Sequence, residues 1–307
     1  MFTSNTFKEA FLLNYLCIDL NIYKNFYFMI MKRFFTIIAI IISFSATSQE
    51  LKIMSYNIKL DYPKEGKNSW TNRKPFMMNQ IKFYEPDVLG VQEAMPNQMK
   101  DLDALLTNYS FVGVGRDDGK DEGEYSAIFY RKDDLEVLES STFWLSQTPD
   151  RVGMGWDAVC NRVCTYALFQ HKTTMKKFWV FNTHFDHVGK EARSKSAVLI
   201  LDKIKSLNTE NHPVFLTGDF NMEPNHESVD YITQTLKDSK IVSELDFGPE
   251  GTFNGFHFDQ PVTRRIDYVF VSFDVKINKY AVLSDNWNMQ YPSDHLPVYV
   301  LAEIKLP

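Results

Sequence analysis

Cysteine is scarce in this sequence, with three among 307 residues, so the disulfide framework that holds small secreted domains together is not available. Cys17 lies in a leader region, which leaves Cys160 and Cys164. Residues four apart in an extended strand sit about 13 Å apart, beyond the roughly 7 Å reach of a bridge. Two half-buried thiols is therefore the plainer reading, and a turn at Asn161-Arg162 is what a disulfide would require. A pair of cysteines with no second pair also makes a poor zinc site. An excess of basic charge is missing too: 33 Lys and Arg stand against 39 Asp and Glu, a net charge of −6. No basic stripe with interleaved aromatics appears, so the overall field does not draw in a duplex nucleic acid. There is no linker rich in Pro, Gly or Ser and no internal repeat, which argues against a string of modules.

Long apolar runs are absent as well. Met31-Lys32-Arg33 precedes an apolar run over 34–42 and small residues over 43–48, the order of a secretory signal peptide with Ala46 and Ser48 spaced for cleavage before Gln49. The run is too short for a membrane helix, which needs about 20 apolar residues. Export to the periplasm or the exterior is the expectation, with a retained anchor as the lesser reading and no integral membrane segment in the mature chain. Residues 1–30 precede this start and show no clear period, so they read as an upstream extension, with translation beginning at Met31 or Met29. Removing residues 1–48 takes away four basic and two acidic side chains and leaves a balance of about −8.

What the chain does have is apolar and aromatic material, 44% and 15% of its residues, enough for a large core. Residues 49–307 read as one domain. β-rich runs bounded by turn residues predict strands over 51–57, 88–92, 110–115, 125–131, 135–145, 164–171, 178–183, 214–217, 265–272, 276–283 and 297–305. Apolar residues at intervals of three and four predict helices over 72–83, 97–106, 190–207 and 227–236. So many strands with so few helices imply an α/β fold of two sheets packed face to face with helices outside.

Polar residues able to bind metal or move protons recur at the ends of these strands, where loops expose them together. Asn57 ends the run Ile53-Met54-Ser55-Tyr56-Asn57, and Glu93 ends Val88-Leu89-Gly90-Val91-Gln92-Glu93. His184 closes Val180-Phe181-Asn182-Thr183-His184. Asp219 and Asn221 close Val214 to Gly218-Asp219-Phe220-Asn221. Asp267 opens a strand in Arg265-Ile266-Asp267-Tyr268, and Ser293-Asp294-His295 precedes the last one. One Asp or His at a strand end is usually a solvated cap; the ordered set is different.

The set resembles the endonuclease/exonuclease/phosphatase superfamily, which includes deoxyribonuclease I, the apurinic endonucleases, neutral sphingomyelinases, inositol polyphosphate phosphatases and deadenylases. The likeness runs from about residue 51 to residue 304, and Gly218-Asp219-Phe220-Asn221 and Ser293-Asp294-His295-Leu296-Pro297-Val298 are its most specific pieces. It implies a four-layer α/β/β/α sandwich of the deoxyribonuclease I type. It also implies Mg²⁺, with Mn²⁺ as its substitute, held by Glu93 with Asn57 and Asp294, because a hard ion on oxygen ligands neutralises a phosphoryl group. On the same resemblance Asp219 and Asn221 serve the attacking water, His295 contacts a phosphoryl oxygen as a cation, and Asp267 is its partner. His184 looks like the nuclease, sphingomyelinase and deadenylase branches, not the apurinic endonucleases. Glu124 and Tyr125 match positions near that histidine or near phosphate.

The longest segments without period, 116–124 and 146–162, are where substrate contacts are expected, with Arg116 and Arg162 as candidates. Trp156 reads as a loop-packing aromatic, and Asp186 and His187 as groups supporting His184 from behind or as a surface turn. His171, His212, His226 and His257 read as structural or surface residues. The expected activity is hydrolysis of a phosphoester, with a phosphodiesterase or nuclease-like enzyme ahead of a phosphomonoesterase of the sugar- or inositol-phosphate type. The substrate is a small molecule, a lipid head group or a nucleotide. A non-catalytic binding protein and metal-free hydrolysis by the two histidines are the remaining alternatives.

Overall fold

Strand β1 (Gln49–Asn57) sets the pattern for the whole molecule. In the computed structural model, which describes residue 24, residues 26–33 and residues 49–304, Leu51 and Ile53 of β1 join one core while Met54 and Tyr56 join another. Successive side chains of a strand face opposite ways, so a strand apolar at both parities needs cover on both faces. Residues 26–33 are helical. The expected apolar run and cleavage site of the leader, residues 34–48, together with Cys17, lie outside the described residues.

The elements that follow are α1 (Trp70–Tyr84), β2 (Val88–Gln92), α2 (Pro96–Leu105), β3 (Tyr109–Val112), β4 (Ile128–Arg131), β5 (Leu135–Trp144), β6 (Val163–His171), β7 (Lys177–His184), α3 (Lys190–Leu207) and β8 (Val214–Asp219). Then come α4 (Glu227–Thr233), β9 (Lys237–Asp238), α5 (Ser239–Val242), β10 (Asp246–Phe247), β11 (Asp267–Val271), β12 (Val275–Val282) and β13 (Val298–Ile304). A seven-stranded sheet runs β10-β12-β13-β1-β2-β4-β3, and a six-stranded sheet runs β5-β6-β7-β8-β11-β9. Both are mixed: β1 is parallel to β2 and β7 to β8, while β1 with β13 and β8 with β11 are antiparallel.

Three apolar layers hold four layers of structure together. Ile53, Val88, Phe178, Phe215, Val269 and Val300 fill the space between the sheets. Trp179, Phe181, Leu216 and Phe270 pack with Ile200 and Ile204 of α3 on the outer side of the six-stranded sheet. Met54, Tyr56, Leu89 and Val91 pack with Met77 and Ile81 of α1 and Leu102 of α2 on the outer side of the other. The α/β/β/α sandwich expected from sequence is the fold observed.

At Gly90 the two sheets press close, since a Cβ there would lie 2.5 Å from Thr217 Oγ1 and 2.6 Å from Asn182 Oδ1. The space is used for a buried amide network: Gln92 Nε2 donates to Asn182 Oδ1 at 2.7 Å, and Asn182 Nδ2 donates to Val91 O and Ala127 O. Buried hydrogen bonds of this kind help fix one register between sheets. Cys160 and Cys164 are both free thiols. The structure also adds what periodicity did not show: a 3₁₀ segment at Pro63–Asn68 and the two-residue strands β9 and β10. The predicted strand over 110–115 ends at Val112, and the one over 125–131 starts at Ile128.

Candidate active site

Register places the central side chains. His184 pairs with Asp219 across the parallel β7–β8 ladder, and Asp219 pairs with Asp267 across the antiparallel β8–β11 ladder. Residues opposite one another in adjacent strands lie about 5 Å apart, so these three form adjacent rungs at one sheet end. Gly218 lets β8 reach this point, because a Cβ there would meet Thr183 O at 2.4 Å. From the facing sheet β1 delivers Asn57, the exit of β2 delivers Glu93, and the approach to β13 delivers Asp294 and His295. Lys59, Glu93 and Asn221 sit at these exits with φ of 56, 60 and 50°. The left-handed region costs non-glycine residues about 1 kcal/mol or more and tends to persist where function requires it.

The side chains converge. Donor atoms of Glu93, Asp219 and His295 all lie within 4.8 Å of one another. Asn57 Nδ2 donates to Glu93 Oε1 and to Asp219 Oδ2, both at 3.0 Å. His295 Nδ1 lies 2.9 Å from Asp267 Oδ2, and its Nε2 lies 3.8 Å from Asp219 Oδ2. Thr252 Oγ1 also donates to Asp267 Oδ2, and Phe253 meets the His295 ring edge to face at 5.0 Å. Ser293 Oγ donates to Asn57 O at 2.7 Å, tying the β1 exit to the Asp294 loop.

Charge states follow from partners. Burial opposes a charge on His295, but the Asp267 carboxylate and its hydrogen bond outweigh that and push the imidazole up to about 10. Burial and the neighbouring Asp267 push Asp219 up to about 7. Burial would raise Glu93, yet Lys59 and His295 hold it below its ordinary range, whereas burial dominates at Asp294 and raises it. His184 is held well below 6.5, first by burial and then by Arg162 and Arg116. Asn221 Nδ2 lies 3.2 Å from His184 Nε2 and 3.0 Å from Phe185 O; with Nε2 accepting, the neutral ring carries its proton on Nδ1. His184 Nε2 is also 3.4 Å from Asp219 Oδ2.

The donor set fits a divalent cation. Glu93, Asp219 and Asp294 supply carboxylate oxygens and Asn57 an amide, the hard ligands Mg²⁺ prefers. The clearest sign is Lys59, whose Nζ stands 3.8 Å from Glu93 Oε2 and 3.4 Å from Asp294 Oδ2, a cation drawn to these carboxylates. His295 Nδ1 is engaged by Asp267 at 2.9 Å, which favours the doubly protonated ring, a form with no lone pair to offer a metal.

The remaining predicted residues flank this centre. Arg116 grips Glu124 with both terminal nitrogens, at 2.8 and 2.7 Å, and Glu124 Oε2 lies 3.8 Å from His184 Nδ1. Arg162 is buried, with Nη2 3.1 Å from His187 Nδ1 and Nε 3.6 Å from Asp186 Oδ2. Its Nε and Nη1 have no hydrogen-bond partner. Tyr125 is not brought into the cluster: its hydroxyl donates to Lys120 O within the 116–124 loop. Asp186 is a buried anchor, accepting from Val188 N, Gly189 N and Val159 N. Asp157 beside it caps α3 through Ala192 N at 2.7 Å, so the 146–162 loop is fastened beside His184.

Two residues escaped the sequence reading. Lys59 stands two positions after Asn57, and only the fold shows that its side chain reaches back between the carboxylates. Arg73 of α1 is 4% exposed and donates to Asn68 O, Ile58 O, Pro292 O and Lys59 O. Its guanidinium lies 5.5 Å from the Trp70 ring and 5.7 Å from Phe256. This clamp joins the Asn57 exit to the Asp294 loop.

Comparison with known proteins agrees with this geometry. Residues 54–295 match the family described as Endonuclease/Exonuclease/phosphatase. The structure of a mannosyl-6-phosphatase from Bacteroides thetaiotaomicron is 39% identical, covers 82% of this chain and 99% of that one, and superposes with a TM-score of 0.81. An endonuclease/exonuclease/phosphatase family protein from the same organism is 38% identical, covering 85% and 100%, with a TM-score of 0.82. An uncharacterized protein of Acanthamoeba polyphaga mimivirus is 28% identical over 258 residues, 76% of this chain and 92% of that protein.

Proposed function

Since the chain belongs to the endonuclease/exonuclease/phosphatase family and hydrolyses phosphoester bonds, we propose that it is an exported, divalent-metal-dependent phosphomonoesterase acting on phosphorylated sugars. The observation that carries the substrate class is the 39% identity to a mannosyl-6-phosphatase along 99% of that chain. The acidic balance of the sequence, −6 overall, favours a small ester over a polyanion. A phosphodiesterase or nuclease-like activity is the second reading, supported by His184 in its Asn-Thr-His setting. No helix among the described residues is long and apolar enough to cross a membrane, and the leader pattern at 31–48 supports export.

In this reading Glu93, Asn57 and Asp294 hold Mg²⁺ or Mn²⁺, with Asp219 beside them. The ion, when bound, neutralises the phosphoryl oxygens and lowers the cost of nucleophilic attack. Asp219 orients the attacking water and takes its proton, its carboxylate held in place by Asn57 Nδ2 at 3.0 Å and by the Asn221 amide at 2.9 Å. Asn221 steadies that water or a phosphoryl oxygen. His295 donates Nε2–H to a non-bridging oxygen, and Asp267 keeps it charged for that purpose. His184 is neutral and serves as an orienting hydrogen-bond group, with Glu124 and Arg116 behind it. Arg162 places positive charge beside the substrate, and Tyr125 shapes the loop that carries Arg116 and Glu124.

The test is a panel of hexose 6-phosphate, aryl phosphate mono- and diesters, sphingomyelin and single-stranded DNA, assayed with Mg²⁺ or Mn²⁺ and with EDTA. Hexose phosphate should be turned over fastest, and EDTA should abolish the reaction. Faster cleavage of a diester or of DNA would favour the second reading. Activity unchanged by EDTA would leave acid–base hydrolysis by the histidines and remove Glu93 from its role. N-terminal sequencing of the exported protein should begin at Gln49; a mature chain retaining residues 1–30 would contradict the leader assignment.

A further inference from the structure

Just upstream of Asp294 the chain makes a two-residue hairpin. Trp287 and Gln290 exchange backbone hydrogen bonds of 3.0 Å in both directions, and the corner residues Asn288 and Met289 have φ of 50 and 59°. Asn followed by Gly is the pair such a turn favours, so methionine is held there against a cost of roughly 1–2 kcal/mol. Strain of this kind persists where the surroundings impose it and often marks a functional position. The turn leaves Trp287 57% exposed. Opposite it α1 offers Asn72, Phe76 and Asn79, spaced by four and three and therefore on one helix face. The hairpin and the helix enclose a groove of about 520 Å³, to which Lys67 also contributes.

The lining of this groove contains amides, a hydroxyl, one ammonium and aromatic faces, and no carboxylate. Carboxamides both donate and accept hydrogen bonds, and an indole offers a flat apolar face with a polar N–H at its edge. A pyranose ring has matching needs: a face of C–H groups and a rim of hydroxyls that donate and accept. The groove lies beside chain segments that lead to the catalytic centre. Asn72 adjoins Arg73, whose guanidinium donates to Pro292 O at 2.8 Å and to Lys59 O at 3.0 Å. Gln290 stands four residues before Asp294, hence within about 14 Å of it even for a fully extended chain.

We propose that this groove is a glycan subsite, in which a neutral hexose ring of a phosphorylated oligosaccharide stacks on Trp287 and is hydrogen-bonded by Asn72, Asn79 and Gln290. The phosphate of the same molecule occupies the Asp219–His295 centre. The subsite makes the enzyme prefer a phosphate borne on a glycan to the same phosphate on a free hexose. The inference rests on the phosphomonoester reading, and the experiment separates the two.

Binding of unphosphorylated maltotriose, cellotriose and mannotriose is measured by calorimetry and saturation-transfer NMR in EDTA, for the wild type and for Trp287→Ala. Hydrolysis of a phosphorylated trisaccharide and of free hexose 6-phosphate is then measured with Mn²⁺. At least one trisaccharide should bind the wild type. Trp287→Ala should weaken that binding about tenfold and raise KM for the phosphorylated trisaccharide by a similar factor, leaving its kcat and the kinetics on hexose phosphate unchanged. Asn79→Ala, on the opposite wall, provides the same test should the tryptophan variant fail to fold. Absence of trisaccharide binding at millimolar concentration, or an equal effect on both substrates, would overturn the subsite. Trisaccharide binding lost in the variants, with no hydrolysis of any phosphomonoester by the wild type, would support the subsite and overturn the phosphomonoester reading instead.

Discussion

His184 and His295 are both buried, 6% and 4% exposed, and they sit on either side of Asp219 at 3.4 and 3.8 Å. Yet one is held neutral and the other charged. His295 is backed by Asp267 at 2.9 Å, whereas His184 feels Arg162 and Arg116. Burial acts against the charge on both, so the partner behind each ring decides its state. The two rings thereby differ in what they offer: His295 can hold phosphoryl oxygens as a cation, whereas His184 offers a neutral, orienting hydrogen bond with Arg162 and Arg116 supplying the positive charge beside it.

The largest effects should come from breaking the His295 side. His295→Gln is expected to lower kcat by roughly a thousandfold, in the range seen when one transition-state donor is removed. Asp219→Asn should do at least as much, with the fold retained by circular dichroism; loss of folding in either variant would mean that a structural residue had been taken for a catalytic one. Asp267→Asn keeps the ring but removes its counter-charge, so activity should fall about a hundredfold and should decline as pH rises through the ordinary histidine range.

His184→Gln is the matching change on the other side. A loss of only about tenfold to a hundredfold in kcat is expected, with the alkaline limb of the pH–rate profile unmoved. Disappearance of that limb would show His184 acting as an acid. Stability carries the same contrast with opposite signs. The folded-state value of His295 is raised, so its contribution is complete below about 6.5 and is lost as pH rises toward 10, at roughly 1.4 kcal/mol per unit. That of His184 is lowered, so the unfolded chain takes up a proton that the folded one refuses, and stability falls as pH drops below about 6.5. Urea midpoints from pH 5 to 10 should flatten on the alkaline side in His295→Gln and on the acid side in His184→Gln.

A smaller effect is expected beneath the His184 side. Asp186 is held down to about 2: burial would raise it, but the Gly189 and Val188 amides and Arg162 prevail. Its contribution is present above about pH 4 and fades as pH falls toward 2. Asp186→Asn should therefore cost about 2 kcal/mol at pH 7 and nothing near pH 2, by urea denaturation. Equal midpoints at pH 7 would contradict the anchoring of the 146–162 loop beside His184.

The centre around His295 was legible in the sequence and the flanks were less so, for a physical reason. Asn57, Glu93 and Asp219 each close an apolar run where a strand ends, and His295 stands just before one begins, so register within each sheet and the packing of the two sheets bring them together. The long strands and helices were equally readable because they bury two parities or one helical stripe. Lys59 and Arg73 carry no such signal: a lysine after a strand and an arginine early in a helix read as solvated, and their partners lie up to 235 and 219 residues away. Tyr125 matches a position near the histidine or near phosphate, but the loop before it folds back and its hydroxyl donates to Lys120 O. The strands β9 and β10 hold two residues each and are too short to show a period.

The division between the two histidines is most directly tested by ¹⁵N NMR of the imidazole nitrogens in the metal-free protein, assigned with His184→Gln and His295→Gln and titrated from pH 5 to 10. His295 should show two protonated nitrogens through pH 9, while His184 stays neutral, with its proton on Nδ1, down to pH 6 and below. Both rings titrating together near 6.5 would contradict the account.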